Sequence, residues 1–235
     1  MSNAEHYQEI FDYLSLAEPP TERTGIVMFG RNDSRLAQTA GSLATEGMID
    51  FMIVSGGYGK DSGRSKYPEA FRIGDDLAAL DPPFATIRTC FEPFAATGEQ
   101  NAEYSIKLMD LLRLPYQKAI TTISHATSSR RLSEQLHHEA VKRGTPIEKI
   151  YRVPTDYPFD AEKPADQAEA RAELLRLADW PRFGWLPKQV DIPKDLVDFA
   201  RSQHGNPHWR LEHAKAKVFG ALPQFLQKHI AALIW

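Results

Sequence analysis

The chain has 235 residues, of which 42% are hydrophobic and 25% are charged, which is the usual composition of a globular protein. A chain of this length can bury enough surface to form one large domain. The formal net charge is −3, and the 28 lysines and arginines are spread along the chain. We therefore expect no nucleic-acid partner, because such a partner would require a basic stripe.

The sequence also bears on the cellular location. The longest apolar runs, such as Phe51–Val54, fall far short of the ~20 residues that a membrane helix requires, so no membrane partner is expected. Glu5, Glu9 and Asp12 interrupt the N-terminal segment, which does not match a secretory signal. Cys90 is the only cysteine and cannot form an internal disulfide, as suits a reducing compartment. These features predict a cytoplasmic protein.

Short apolar runs alternate with helical patterns over residues 1–153. The runs predict five buried strands: Gly25–Phe29, Phe51–Val54, Ala85–Phe91, Lys118–Ser124 and Ile147–Val153. The intervening patterns predict helices at Ser34–Glu46, after Pro68, at Thr97–Leu112 and at Thr127–Val141. This alternation predicts an α/β, Rossmann-like parallel sheet of about five strands with helices on both faces. The unbroken apolar run Gly25–Phe29 is typical of a central strand.

The last third of the chain has a different pattern. Residues 154–235 predict a helical extension packed on the same domain, with helices at Ala165–Ala178, Lys194–Ser202, Trp209–Phe219 and Leu222–Ile234. The apolar residues of the last helix recur at near-helical spacing, so we expect it to dock. The chain's own body is the favoured surface, and a second copy of the chain is the alternative.

Polar residues and glycines follow the first four predicted strands. Because parallel strands end at one edge of their sheet, and because ligands bind there where the strand order reverses, we expect these residues to form one site. The predicted ligand-binding residues are Gly30, Arg31, Asn32, Arg35, Ser55, Gly56, Gly57, Tyr58, Thr97, Gln100, Asn101, Arg130 and Arg131.

Two kinds of group in this set suit an anionic ligand. Arg31 and Arg131 offer planar donors for a carboxylate or phosphate, and the backbone amides of Gly56 and Gly57 can bind an anion. The alternatives are arginines at surface helix starts and glycines that only shape a loop. The segment Gly56–Gly63 lacks P-loop spacing, and no dinucleotide fingerprint follows the first strand.

Three further residues are candidates for catalysis: Glu69, Glu92 and His125. His125 follows a strand and could act as a general base, or it could cap the turn. The two carboxylates could serve in acid–base chemistry or bind a ribose, although a carboxylate early in a helix is often only a partner of the helix dipole. No metal is expected, because no group of His, Cys or Asp has the spacing of metal ligands.

The order of several motifs resembles a known family. The blocks GRNDSR, IVSGGYG and PEA, the segment Glu92–Asn101 and a strand followed by Ser-Arg-Arg resemble the YdcF-like, SanA-related family, between about Thr24 and Val141. The resemblance implies a Rossmann-like fold with a nucleotide-sized site. The YdcF branch is associated with S-adenosylmethionine, whereas the SanA branch is linked to the cell envelope and carries a membrane anchor. This chain is more similar to the soluble YdcF branch.

The resemblance extends to individual positions. Matches to the family's motif sites are Gly30, Arg35, Ser55, Gly56, Gly57, Glu69, Glu92, Asn101 and Arg131. Two positions depart from the pattern: Gln100 stands where the family usually has a carboxylate, and Ser128 stands where it often has a histidine. These departures imply altered chemistry, or none, if those groups carry acid–base steps in the family.

The combined expectation is an enzyme that binds a small nucleotide-type ligand, with S-adenosylmethionine as the implied cofactor, and that transfers or hydrolyses a group. One alternative is a non-catalytic ligand-binding or regulatory protein, which the change to Gln100 favours. Another is a phosphoester hydrolase linked to envelope metabolism. The protein is expected to be a monomer or a homodimer.

Overall fold

The computed structural model describes residues 1–58, 66–80, 84–187 and 191–203. Its sheet has five parallel strands in the order β3-β2-β1-β4-β5. The strands are β1 (Thr24–Phe29), β2 (Ile49–Ser55), β3 (Arg88–Glu92), β4 (Ala119–Ser124) and β5 (Lys149–Pro154). The predicted Rossmann-like α/β class is therefore confirmed, and β1 is the central strand as predicted.

Helices cover both faces of this sheet. The α-helices are α1 (Asn3–Leu14), α2 (Arg35–Thr45), α3 (Glu69–Ala78), α4 (Gly98–Leu111), α5 (Ser129–Lys142), α6 (Pro164–Asp179) and α7 (Lys194–Ser202). Apolar residues of α2 and α3, such as Leu36 and Ile73, pack with Met28 of β1 on one face. Residues of α4 and α5, such as Ile106 and Leu136, pack with Val27 on the other face. Alternate side chains of β1 thus enter opposite halves of the core, which explains its unbroken apolar sequence.

The third predicted strand is shorter than the sequence pattern suggests. Residues Phe84–Thr86 form a 3₁₀ turn, and the strand begins only at Arg88, opposite Phe51 of β2. The turn is closed by the amide of Ile87, which donates to the carbonyl of Phe84 at 3.1 Å. The prediction of a buried strand is also wrong here, because β3 is an edge strand in which only Glu92 is fully buried. An apolar run alone does not distinguish a buried strand from an edge strand or from a turn that precedes it.

A separate helical cluster packs beside the α/β body. Helix α1, which was not predicted, begins with a capping box between Ser2 and Glu5, and it packs with α6 and α7 through residues such as Ile10 and Leu174. The predicted helices Trp209–Phe219 and Leu222–Ile234 lie outside the described residues. None of the helices in the described ranges is both long enough and apolar enough to cross a membrane.

Candidate functional site

The strand order reverses between β1 and β4. Strands β2 and β3 extend the sheet on one side of β1, and β4 and β5 extend it on the other. In an open parallel sheet, a crevice forms at this position beyond the carboxyl ends of the strands. The polar residues that meet here come from the loops after β1, β4 and β5 and from α6. We call them the switch-point cluster: Arg31, Asp33, Arg35, His125, Thr127, Tyr157 and Glu169.

Arg31 and Glu169 form a bidentate ion pair across the crevice. The Nη1 and Nη2 atoms of Arg31 donate to Oε1 and Oε2 of Glu169 at 2.5 Å and 3.0 Å. Both side chains are 27% exposed, so a ligand could reach either one. Burial alone would raise the pKa of Glu169, but the hydrogen bonds and charge of Arg31 outweigh it and lower the pKa. The pair is therefore ionised at neutral pH.

His125 is buried beside this pair. Its Nδ1 lies 2.9 Å from Oγ1 of Thr127, whose hydroxyl donates to Glu169 at 2.5 Å. Because the proton of Thr127 is directed to Glu169, Nδ1 carries the histidine proton and Nε2 is left as the basic nitrogen. Burial, reinforced by the positive charge of Arg31, lowers the pKa of His125 to about 4. The ring, in contact with Tyr157, is neutral at pH 7.

The two carboxylate oxygens of Asp33 differ in their contacts. It is 8% exposed, and its Oδ1 accepts hydrogen bonds from the amide and the Nε of Arg35, at 3.1 Å and 2.7 Å. Its Oδ2 is buried and accepts no hydrogen bond from any residue that the structure describes. The hydroxyls of Ser124 and Thr155, at the carboxyl ends of β4 and β5, are also buried and have no hydrogen-bond partner within the described ranges. These unsatisfied polar atoms lie on the edge where a ligand is expected.

On the other side of β1, Ser55, Glu92 and Asn101 form a buried hydrogen-bonded group. The hydroxyl of Ser55 lies 2.7 Å from Glu92 Oε2 and 3.1 Å from Asn101 Oδ1. Glu92 Oε1 also accepts from the amides of Phe94 and Ala95, at 2.7 Å and 3.2 Å. Burial raises the pKa of Glu92, although these hydrogen bonds oppose the rise. Glu92, a predicted catalytic residue, thus holds the loop after β3 in place.

The loops after β1 and β2 touch at two glycines. A Cβ atom on Gly30 would lie 2.7 Å from the carbonyl oxygen of Ser55 and 3.0 Å from Oε2 of Glu69, so only glycine fits. A Cβ on Gly56 would lie 2.9 Å from the Cα of Gly30. The buried carboxyl group of Glu69 therefore lies against Gly30 and Gly56, where the loop after β1 contacts the loop after β2.

The amides proposed for anion binding have other partners. The amide of Gly56 donates to the carbonyl of Glu92 at 2.9 Å, and that of Gly57 donates to the carbonyl of Ala95 at 2.6 Å. These contacts hold the loops after β2 and β3 together. In this structure neither amide is directed at a ligand, so the glycines shape the loop, which was the alternative interpretation.

Four other predicted residues have local roles or remain at the surface. Thr97 caps α4 by accepting from the amide of Gln100, and the Gln100 side chain accepts from the amide of Ala96. The hydroxyl of Tyr58 donates to the carbonyl of Lys66 at 3.0 Å. Asn32 is exposed.

The structure does not bring Arg130 and Arg131 into the crevice. Arg130 pairs with Asp191 and stacks on the ring of Tyr13 at 4.1 Å. Arg131 forms a buried pair with Glu173 of α6 and donates to Gln135 at 2.8 Å. Both arginines are in the first turn of α5, but their side chains pair with Asp191 and Glu173 and not with residues of the switch-point cluster.

Sequence reasoning missed Glu169 and Tyr157. Glu169 contacts Arg31 across 138 positions of the chain, and it belongs to a helix whose charged pattern is typical of a solvated surface. Tyr157 lies in the Pro- and aromatic-rich loop after β5, and this density of aromatic residues was the one signal that could have identified it.

Within the described ranges, no group of three or more His, Cys, Asp or Glu side chains is placed to hold a metal ion. No protein-family model matches this chain, and no curated protein matches it. The relation to the YdcF-like family therefore stays a prediction.

Proposed function

We propose that this chain binds a nucleotide-type small molecule at the switch-point cluster and acts on it by group transfer or hydrolysis. One observation carries the proposal: the buried Oδ2 of Asp33 has no donor among the described residues, at the point where the strand order reverses. A buried carboxylate oxygen without a partner is costly, and a ligand hydroxyl or amino group would remove that cost. Arg31 and His125 lie in the same cluster.

The three side chains have complementary roles toward such a ligand. Asp33 accepts a hydrogen bond from a ribose hydroxyl or an ammonium group. Arg31 binds a carboxylate or phosphate, exchanging part of its contact with Glu169 for the ligand. His125 is neutral at pH 7, and its Nε2 accepts a proton or a hydrogen bond. S-adenosylmethionine carries a ribose, an ammonium and a carboxylate, and the sequence resemblance to YdcF-like proteins supports it as the first candidate.

A regulatory role is the second candidate, and Glu169 favours it. This residue is on α6, outside the five-strand body, yet it bonds to Arg31 and Thr127 inside the crevice. A ligand that engages Arg31 competes with Glu169 and weakens the attachment of α6. Ligand occupancy would then be reported through the helical cluster without any chemical step.

Calorimetric titration of the full chain tests the binding proposal. The probes are S-adenosylmethionine, S-adenosylhomocysteine, AMP and ATP. We expect at least one to bind, and we expect Asp33→Asn to weaken that binding at least tenfold, because the amide replaces an acceptor oxygen with a donor. Asp50→Asn is the matched control, since Asp50 is exposed at the amino end of β2. No binding by any probe, or an equal loss in the control, would contradict the proposal.

A second measurement separates the enzyme from the regulator. Mass spectrometry of the bound probe after prolonged incubation with the protein, with water or small-molecule acceptors present, detects group transfer or hydrolysis. An enzyme gives product that disappears in His125→Gln. A regulator gives binding without product, together with faster amide exchange in α6 when the ligand is bound.

A further inference from the structure

The two edges of the sheet are covered to different extents. At β5, the amide of Glu18 donates to the carbonyl of Arg152 at 2.8 Å, and the amide of Arg152 donates back at 2.9 Å. At β3, no strand or bridge of the described residues pairs with the side that faces away from β2. An uncovered edge presents backbone donors and acceptors that can pair with another chain. Strand β3 is therefore the edge at which a partner strand can join the sheet.

The backbone groups available at this edge belong to Thr89 and Phe91. The carbonyl of Glu92 accepts from the amide of Gly56, just after β2, so the backbone of Glu92 faces β2. Because successive residues of a strand direct their backbone groups to alternate sides, those of Cys90 also face β2, and those of Thr89 and Phe91 face outward. Within the described ranges, these outward groups have no hydrogen-bond partner.

Exposed aromatic side chains adjoin the same edge. Phe91 is 40% exposed, and Phe71 of α3 is 42% exposed. Their ring centroids are 5.8 Å apart, and Phe91 also lies against Gly74, where a Cβ atom would be 2.7 Å from its ring. Neighbouring large apolar side chains that remain in contact with water are typical of interaction surfaces. The surface beside β3 therefore suits a protein partner.

The charges at the two ends of β3 are complementary. Arg88 is exposed, and it forms no ion pair with any residue that the structure describes. Glu92 is buried, and its carboxylate accepts from Ser55 and from two backbone amides but from no cation of the described chain. Burial raises the pKa of Glu92. If two β3 strands pair in antiparallel orientation, each Arg88 lies opposite the other copy's Glu92, which favours the pairing.

We propose that two copies of this chain associate through antiparallel pairing of their β3 strands, with the two Cys90 residues at the two-fold axis. The outward backbone groups set this register, because Thr89 of one copy and Phe91 of the other then exchange both hydrogen bonds. The ring of Phe91 lies beside the other copy's Thr89, an aromatic and β-branched contact that stabilises antiparallel strands. Phe71 extends this apolar contact on the α3 face of the joined sheet.

Sedimentation equilibrium of the full chain under reducing conditions tests the association, and we expect a dimer at micromolar concentration. Thr89→Pro removes an outward amide but no bond to β2, so it should give a monomer. Arg88→Glu places like charges opposite each other and should weaken the dimer about tenfold. Arg182→Glu, at an exposed arginine of the helical cluster, is the matched control and should remain a dimer. A monomeric unmodified chain, or equal dimer affinity in both edge variants, would overturn the proposal.

Oxidation of Cys90, the only cysteine, tests the register. Across the axis the two Cys90 residues form a non-hydrogen-bonded pair with Cα atoms about 4.5 Å apart, a separation that a disulfide can span. Copper(II) phenanthroline should therefore oxidise the two thiols to one disulfide, with release of two protons and transfer of two electrons to copper(II). Electrophoresis without reductant should show a covalent dimer that Thr89→Pro loses. A dimer in solution that gives no covalent product would contradict the proposed pairing.

Discussion

Helix α6 carries two glutamates one turn apart, and each pairs with an arginine of the α/β body. Glu169 pairs with Arg31 after β1, and Glu173 pairs with Arg131 of α5. The first pair is 27% exposed on both sides, whereas the side chains of the second are 6% and 10% exposed. Both contacts are therefore arginine–glutamate ion pairs, but one is partly exposed and the other is buried. This difference indicates the role of each pair.

Both carboxylate oxygens of Glu173 accept hydrogen bonds from arginines. Arg131 also donates to Gln135 and lies over the ring of Trp180 at 5.4 Å, and Arg176 adds a second cation to Glu173 at 2.6 Å. Burial opposes ionisation of Glu173, but these two arginines dominate and lower its pKa to about 2. Such a network fixes α6 to α5. The Arg31 pair, in contrast, lies in the same cluster as Asp33, whose Oδ2 accepts no hydrogen bond from the part of the chain that the structure describes.

The largest effect on stability is expected at the buried pair. Arg131→Met should lower the free energy of unfolding by about 4 kcal/mol, because it leaves the buried carboxylate of Glu173 without its main partner. Urea denaturation measures the change. Adding Glu173→Gln to this variant should recover part of the loss. A loss below about 1 kcal/mol in the single variant would mean that the pair does not fix α6.

The pH dependence of stability should depend on His125. The unfolded chain protonates this residue near its ordinary pKa of 6.5, and the folded chain does so only near pH 4. Between these values the unfolded state binds more protons, so the free energy of unfolding falls as the pH falls, by about 3 kcal/mol. Urea denaturation at pH 7 and pH 4.5 should show a smaller difference for His125→Gln. The control His138→Gln, at a partly exposed histidine, should keep the full difference.

The smallest effect on stability is expected at the exposed pair. Arg31→Gln should cost about 1 kcal/mol or less, because solvent screens the pair and Glu169 keeps its hydrogen bond from Thr127. The same variant should lose most of its affinity for a nucleotide-type ligand. A thermal melt and a titration of one preparation give both values. A large loss of stability with unchanged affinity would show that Arg31 has a structural role, as Arg131 does, and that it does not bind the ligand.

The sequence predicted the sheet better than the site. The apolar run of β1 identified the central strand, because burial on both faces leaves a local signature. The directions of Arg130 and Arg131 could not be predicted, since their partners, Asp191 and Glu173, are 61 and 42 positions away. Glu169 was missed for the same reason. Asp33 lies in the block GRNDSR but was not among the predicted site residues, because only the packed structure leaves its Oδ2 without a donor among the described residues.

A structure of the full chain with its tightest nucleotide-type probe tests the central claim most directly. We predict that a ligand hydroxyl or amino group lies within hydrogen-bond distance of Asp33 Oδ2 and that an anionic group of the ligand contacts Arg31. The Arg131–Glu173 pair should be unchanged. A ligand bound between α5 and α6 at Arg131, or bound without any contact to Asp33, would contradict the claim.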